Sequence, residues 1–324
     1  MQIGIIGCGR MGNERARATV ALGHQVAIVY DLDSSKAAAL ADAYPGTKVL
    51  RLAAEIPWDG LDAVFICTPP SFRIDYELAA IEARLPFFVE KPIAVHASEC
   101  ASVLAALQRR PTLQAVGYMN RCRNSVRFAR ELLQQTSILG ACCQWVGRKY
   151  QVDWWLQADQ SGGPLNEQAT HAFDLFRFLV GEISAVSSTM PNRQAGNDMP
   201  LRVACTVNFS AGQLGTLFYS CEAAEKEIDL RIITSHGVLE LAGWDMRLVA
   251  NPIHGTIPPV GEEDIFVSET AQFFAAVERN ESGMAACDFF DAFQTQLAVD
   301  AARASLQAGK LVSIERQFHR EAAV

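Results

Sequence analysis

Along the first third of the chain, short unbroken apolar runs alternate with stretches in which apolar residues recur every three or four positions. The runs predict strands at 3–7, 25–30, 47–50, 63–67, 86–90 and 113–117. The stretches between them predict helices at 11–22, 34–44, 72–85 and 98–108, the second with Asp33 or Ser34 as its N-cap. Strands that are apolar throughout are covered on both faces. Strands separated by helices are joined by crossovers, so the sheet is parallel. The pattern is that of an α/β, doubly wound domain. From about residue 140 the rhythm changes to strand-like runs at 141–146, 203–209, 215–220, 227–234 and 238–241. Ser235, His236 and Gly237 read as a hairpin turn, which makes His236 structural. Loops are predicted at 194–200 and 252–264. Helices are predicted at 268–279 and 288–308, the second ended by Gly309, with buried faces carried by Phe273 and Val277 and by Leu297 and Ala301.

Composition narrows the class. A chain of 324 residues suits two domains, and 50% hydrophobic against 20% charged residues allows a large core and excludes bulk disorder. The formal net charge is −8 and no Lys/Arg run occurs, so a nucleic-acid partner is not expected. No apolar stretch reaches the roughly 18 residues of a membrane span. The sequence opens directly on a strand rather than on a signal-peptide pattern, which predicts a cytoplasmic protein without a membrane partner. The nine cysteines include no CxxC pair. They read as small buried hydrophobes in a reducing compartment, with neither a disulfide framework nor a metal site.

The sharpest chemical signal is Gly7-Cys8-Gly9-Arg10-Met11-Gly12, which follows a strand and opens a helix. In that context Gly7 permits the tight turn, Gly9 lets backbone approach a diphosphate, and Gly12 allows close helix–strand packing. The head of the helix, Arg10 and Met11 included, is then a phosphate site. Asp31 ends the second strand at the spacing expected of a ribose-binding acid, which favours NAD over NADP. Arg10 is able to reach a phosphate and keeps NADP open. Thr68 and Pro69, with Pro70, form a stiff loop at the end of the fourth strand, where open α/β sheets bind ligands. Glu90-Lys91-Pro92 ends the fifth strand, and Glu90 and Lys91 are candidate cofactor contacts there. Pro92 biases Lys91 toward an extended conformation, so its ammonium projects toward the crevice as an acid/base candidate. An ordinary strand-end lysine is the alternative.

A second constellation runs from Ser161 to Gly181 and reads as a helix from about Leu165. Glu167, His171 and Asp174 fall at i, i+4 and i+7, one polar stripe in which acids flank a histidine. A satisfied helix histidine is the alternative.

Taken together and in order, GIIGCGRMG, TPP, EKP and GGPLNEQATHAFDLFRFLVG resemble the Gfo/Idh/MocA oxidoreductases, over residues 1 to about 314. The resemblance implies a Rossmann domain at 1–120 and an α+β domain with a large, mostly antiparallel sheet at 121–324. It implies that the last helix packs back on the nucleotide domain. It also implies that Lys91, His171 and Glu167 are the catalytic set, flanking a carbon that exchanges hydride. The chain departs from the family pattern in three places: Glu167 stands where the family has Asp, Ala169 where it has Gly, and Arg73 where it commonly has His. Asn120, Trp155, Glu167 and Asp174 are the candidate substrate contacts, a sugar's C–H face stacking on aromatics. Core or subunit packing is the alternative for the tryptophan.

The implied activity is NAD-dependent hydride transfer to or from a secondary alcohol of a sugar, inositol or related polyol. Either Lys91 or His171 is the formal base. Two other classes stay open: an NAD-using enzyme with no net redox, catalysing elimination or glycoside cleavage, and a non-catalytic sugar- or nucleotide-sensing regulator. A sheet with one uncovered face predicts a homodimer or homotetramer.

Overall fold

The structure is a computed structural model that describes residues 1–191, 199–250 and 264–315. The loop predicted at 194–200 lies mostly outside the described residues, as does all of that at 252–264 except Asp264. The chain divides into two compact units: Met1–Ala94 with Ser98–Met119 and Asp264–Ala292, and Val95–Ala97 with Asn120–Glu263 and Phe293–Val324.

The first unit is a parallel sheet of β1 (Gln2–Ile6), β2 (Gln25–Tyr30), β3 (Lys48–Val49), β4 (Ala63–Ile66), β5 (Phe87–Val89) and β6 (Gln114–Val116). The strand order is β3-β2-β1-β4-β5-β6, the doubly wound arrangement with its switch point between β1 and β4. Between the strands run α1 (Arg10–Ala21), α2 (Ser34–Ala43), α3 (Ile74–Glu82) and α4 (Ala101–Arg109). Asp33 caps α2 by accepting from the Ser35 N–H at 3.0 Å. The helix predicted over 72–85 is shorter than expected. Pro69 and Pro70 lack N–H groups, so the chain makes a 3-10 turn over Pro70–Phe72 before α3 begins.

This unit is completed by residues far along the chain. In chain order the remaining helices are α5 (Asn124–Leu133), α6 (Ala158–Ser161), α7 (Thr170–Leu179), α8 (Ile265–Arg279) and α9 (Phe289–Ala308). Asp264 caps α8, and Phe273 and Phe274 of α8 pack edge-on against Phe65 of β4. Phe273 also meets Phe88 of β5 at 5.5 Å between centroids. A boundary at residue 120 therefore has to be corrected: residues 264–292 belong to the nucleotide unit, because their aromatic side chains fill its core. The helix that does this is the penultimate one, α8. All but the first turn of α9 belongs to the second unit.

The second unit is built on β7 (Ile138–Arg148), β8 (Ile183–Thr189), β9 (Arg202–Phe209), β10 (Leu214–Ser220), β11 (Glu222–Thr234), β12 (Gly237–Ala242), β13 (Arg247–Ala250) and β14 (Val312–Ser313). They form one sheet in the order β13-β12-β11-β7-β10-β9-β8-β14. Among the described residues only the β7–β10 pair of this sheet is parallel. One face carries Ala141, Cys143, Trp145, Leu217, Tyr219, Leu230 and Ile232, all buried in the same core as Phe173 and Phe176 of α7. The predicted hairpin at Ser235–Gly237 joins β11 and β12, and the His236 Nδ1 lies 2.7 Å from the Thr136 hydroxyl.

Candidate active site

The glycine turn is dictated by sterics. Gly7 has φ +92, and a Cβ there would stand 2.7 Å from the Cys67 carbonyl carbon. A Cβ on Gly12 would stand 2.0 Å from the Gly7 oxygen, so α1 can run this close to β1 only with glycine at that position. Gly9 is different, because a Cβ there would meet nothing within 4 Å. Its open side is where a diphosphate would approach the backbone, at the head of a helix with no acidic residue in its first turn. Arg10 at that head is exposed and Met11 partly so.

Asp31 sits at the end of β2, as expected, but part of its carboxylate is engaged. One oxygen accepts the Cys8 N–H at 2.7 Å and the other the Asp33 N–H at 2.8 Å. These bonds fix the carboxylate beside the glycine turn, and each oxygen keeps a lone pair for a ribose hydroxyl. Burial, with the Asp31 charge as the second cause, pushes the Cys8 thiol up to about 12.

Two loops leave the carboxyl ends of the neighbouring strands β4 and β5. The first carries Thr68 and Pro69, both partly exposed, with the Thr68 hydroxyl donating to the Phe72 carbonyl at 3.1 Å. The second carries Lys91, partly exposed and joined to Pro92 by a cis peptide bond. Glu90 points inward. Its carboxylate accepts from Arg15 Nε at 2.8 Å, and Arg15 pairs in turn with Glu269 of α8 at 2.5 Å and reaches Thr270 at 3.3 Å. The guanidinium also lies 4.2 Å from the Phe88 ring centroid. A cofactor contact from the Glu90 carboxylate is thus replaced by an internal one: the side chain orients the loop that carries Lys91. Arg73 is buried and donates to the carbonyls of Thr68, Glu90 and Pro92.

In the second unit the expected helix differs at its start. Leu165–Ala169 is a π-helical turn that continues into α7. Such turns are rare and frequent at functional sites. The wider turn changes the angular step between Glu167 and His171, so the stripe is not the regular one that i and i+4 spacing gives. Glu167 and His171 are both buried, and the imidazole stacks on Trp145 at 5.4 Å with 9° between the planes. Gln168 accepts from the Tyr219 hydroxyl at 2.8 Å. Burial raises the Tyr219 phenol far above its ordinary value.

Trp155 is 1% exposed and packs edge-on against Tyr150 at 5.3 Å. Its main-chain carbonyl is held by Ser161 of the Ser-Gly-Gly-Pro turn at 2.8 Å. Neither the Trp155 indole N–H nor the Asn120 side-chain amide nitrogen, both buried, has a hydrogen-bond partner among the described residues. Unpaired buried donors are costly, and a bound hydroxylated ligand would satisfy them. The Asn120 oxygen accepts from Arg123 Nε at 3.0 Å. Asp174 is committed to the protein: Arg121 pairs with it at 2.6 Å and Thr295 donates to it at 3.3 Å. That pairing was not anticipated for a substrate contact.

Known proteins agree with this architecture. The family profile described as the oxidoreductase family with an NAD-binding Rossmann fold matches residues 1–118, and the profile of the Gfo/Idh/MocA C-terminal domain matches residues 134–240. The chain belongs to the Gfo/Idh/MocA oxidoreductase family. Inositol 2-dehydrogenase 2 of Saccharopolyspora erythraea is 28% identical over 205 residues, covering 62% of this chain and 60% of that protein. The 2,7-anhydro-N-acetylneuraminate hydratase of Escherichia coli is 24% identical over 228 residues, covering 66% and 60%. The chain thus aligns with about three fifths of the length of each of these relatives. Among solved structures, a levoglucosan dehydrogenase in complex with NADH superposes with a TM-score of 0.83 at 21% identity, covering 98% of this chain and 99% of that one.

As a member of this family, the chain has a nucleotide unit whose residues fit NAD. The open side of Gly9 suits the diphosphate and the Asp31 carboxylate suits a ribose. Seven of the nine cysteines are buried, and Cys142 is the exposed one. No group of three or more His, Cys, Asp or Glu among the described residues is arranged to hold a metal ion. No helix among them is long and apolar enough to cross a membrane. Three site features were missed from sequence: the Arg15–Glu90–Glu269 cluster, the Trp145 stack on His171, and the Arg121–Asp174 pair. Only the second had a local signal, Trp145 being in phase with Cys143 and Ala141 on one face of its strand.

Proposed function

We propose that this chain is an NAD-dependent dehydrogenase acting on a secondary alcohol of a sugar, an inositol or a related polyol. The observation that carries the reading lies within the first unit. One parallel sheet presents a diphosphate cradle at the head of α1, a fixed carboxylate at the end of β2 and the Lys91 ammonium at the end of β5. NAD held by these residues would supply the acceptor for a hydride from the carbinol carbon. The head of α1, Arg10 and Met11 included, binds the diphosphate. Asp31 accepts from the ribose hydroxyls and repels a 2′-phosphate, so NADP is the poorer cofactor. Thr68 and Pro69 flank the nicotinamide. Lys91 and His171 share the proton work, one accepting the hydroxyl proton and the other stabilising the developing alkoxide. Glu167 orients His171, while Asn120 and the Trp155 indole N–H bind substrate hydroxyls.

The test is a panel of sugars and inositols with NAD and NADP side by side, followed by absorbance of the reduced cofactor. Steady NADH formation supports the reading. Cofactor that copurifies and never turns over, with water added to an anhydro sugar, supports the second one, a reaction without net redox. The similarity to the hydratase favours that alternative.

The face of the large sheet left uncovered among the described residues exposes Leu214 (64%), Phe218 (47%) and Ile233 (38%), and carries a concavity of about 540 Å³ lined by Phe218, Thr216, Cys142 and Arg231. We assign this face to a second copy of the chain, in a homodimer or homotetramer. Sedimentation as a monomer at micromolar concentration would refute it.

A further inference from the structure

We infer that Arg73 is the positioning residue for Lys91: one buried guanidinium holds the main-chain carbonyls on both sides of that lysine and ties them to the neighbouring strand-end loop. Arg73 is 2% exposed. It donates to Glu90 O and Pro92 O, the two carbonyls that bracket Lys91, and to Thr68 O in the loop after β4. A guanidinium carries five N–H donors in a rigid plane, so it can serve three carbonyls from one fixed position. A histidine, the residue the family pattern commonly has here, offers at most two. The second restraint on the same tripeptide is the Arg15 grip on the Glu90 carboxylate. With the backbone fixed from one side and the preceding side chain from the other, the only freedom left to the ammonium is rotation within the Lys91 side chain.

Glu77, one helical turn beyond Arg73, is consistent with this role. It is fully buried, and burial holds its carboxyl up to about 8 despite Arg73 nearby. In neutral solution it is therefore protonated and does not compete for the Arg73 donors as a carboxylate.

The inference rests on the reading that Lys91 works at the reacting carbon, so its test uses a readout that needs no substrate. The chain has six lysines. Reductive 13C-methylation gives each a dimethylamine resonance, and Lys91→Met identifies the one from Lys91. In the NADH complex, Arg73→Met is expected to narrow that resonance to the width of the exposed lysines and to shift its titration midpoint. NADH affinity should fall by less than about tenfold, because the diphosphate cradle is untouched and only the Thr68 loop loses a restraint. On a polyol that the wild type oxidises, kcat should fall about 100-fold, the cost of misplacing a reacting group by about 1 Å. Arg73→Lys keeps the charge without the fork and is expected to regain thermal stability but not kcat. If Arg73→Met does not fold, Arg73→Gln, which keeps two donors, carries the same readouts. An unchanged Lys91 resonance and midpoint in a folded variant would overturn the inference, as would full activity in Arg73→Lys. Absence of polyol oxidation by the wild type would sink the dehydrogenase reading instead, and the resonance would still decide whether Arg73 positions Lys91.

Discussion

Glu77 offers a clean test of how the region behind the β4 and β5 loops is built. Its carboxyl is fully buried, and neither oxygen has a hydrogen-bond partner among the described residues. Burial, the larger effect, raises its pKa from the ordinary 4.5 to about 8, while the Arg73 charge works in the opposite direction. In the unfolded chain Glu77 loses its proton near 4.5. In the folded chain it keeps that proton until about 8. Between these values the native state binds more protons than the unfolded state, so stability falls as pH rises. The stabilising proton is fully effective below 4.5 and is lost as pH passes through about 8. Each pH unit in the window is worth about 1.4 kcal/mol, so the loss is about 3 kcal/mol at pH 7 and about 5 kcal/mol above pH 8.

Glu77→Gln keeps the shape and removes the titration. Relative to wild type it is expected to be near neutral in stability at pH 4.5. It should gain steadily up to pH 8, on the order of 5–10 °C in the melting temperature by pH 7. Scanning calorimetry of both proteins at pH 5, 6, 7 and 8 measures this. The remaining titrations cancel in the difference between the two, and unfolding of the nucleotide unit is the transition to follow, since two compact units need not melt together. A difference that stays constant across the window, or shrinks with pH, would refute the reasoning.

Four further outcomes are expected. Lys91→Met and His171→Ala should each lower turnover by at least about 100-fold while NADH titration by fluorescence shows cofactor binding retained; near-wild-type rates in both would remove them from the site. Asp31→Ser should raise the preference for NADP over NAD by at least about tenfold in kcat/KM, because the carboxylate that repels a 2′-phosphate is gone. Asp174→Ala leaves the buried Arg121 without its carboxylate and should cost about 3–5 kcal/mol by denaturant titration. Adding Arg121→Met to it should recover much of that loss. A fragment of residues 1–120 should stay unfolded by circular dichroism, whereas the same fragment tethered to 264–292 should fold and bind NADH.

What was legible in the sequence was what is local. The Gly7–Gly12 turn, the β2-terminal acid and the tripeptide around Lys91 each advertise themselves within a few residues. The glycines take the geometry expected of them, with Gly7 at positive φ and Gly12 against the Gly7 oxygen, and Asp31 and Lys91 stand just past the ends of β2 and β5. The helix α5 carries a signal of its own, Val126, Ala129, Leu132 and Leu133 being buried at helical spacing, although no element is predicted there above. The π-helical turn at Leu165–Ala169 was not legible, because nothing in its side chains marks a wider turn. The domain boundary was misjudged for the same kind of reason. Phe273 and Phe274 announce a buried helix face, but not that its partners are Phe65 and Phe88, roughly two hundred residues earlier.

The buried charges carry that argument further. Arg15, Glu90 and Glu269 come from α1, the β5 loop and α8, and their mutual attraction must overcome the cost of taking three charges out of water. Apolar residues of similar volume would meet no such cost, so stability alone is a weak reason for the cluster. Its geometric consequence is specific. Arg15 joins the helix that opens with the phosphate turn to the residue preceding Lys91, and α8 closes the cluster from behind. Arg73 fixes the same tripeptide through its carbonyls. Two guanidiniums from different helical approaches thus converge on Glu90-Lys91-Pro92, one on a side chain and one on the backbone. A segment needed only to end a strand would not require both. The arrangement makes sense if the place of the Lys91 ammonium relative to the phosphate turn has to be set to within a fraction of an ångström, which is the demand that hydride transfer makes on the proton-transferring group beside it.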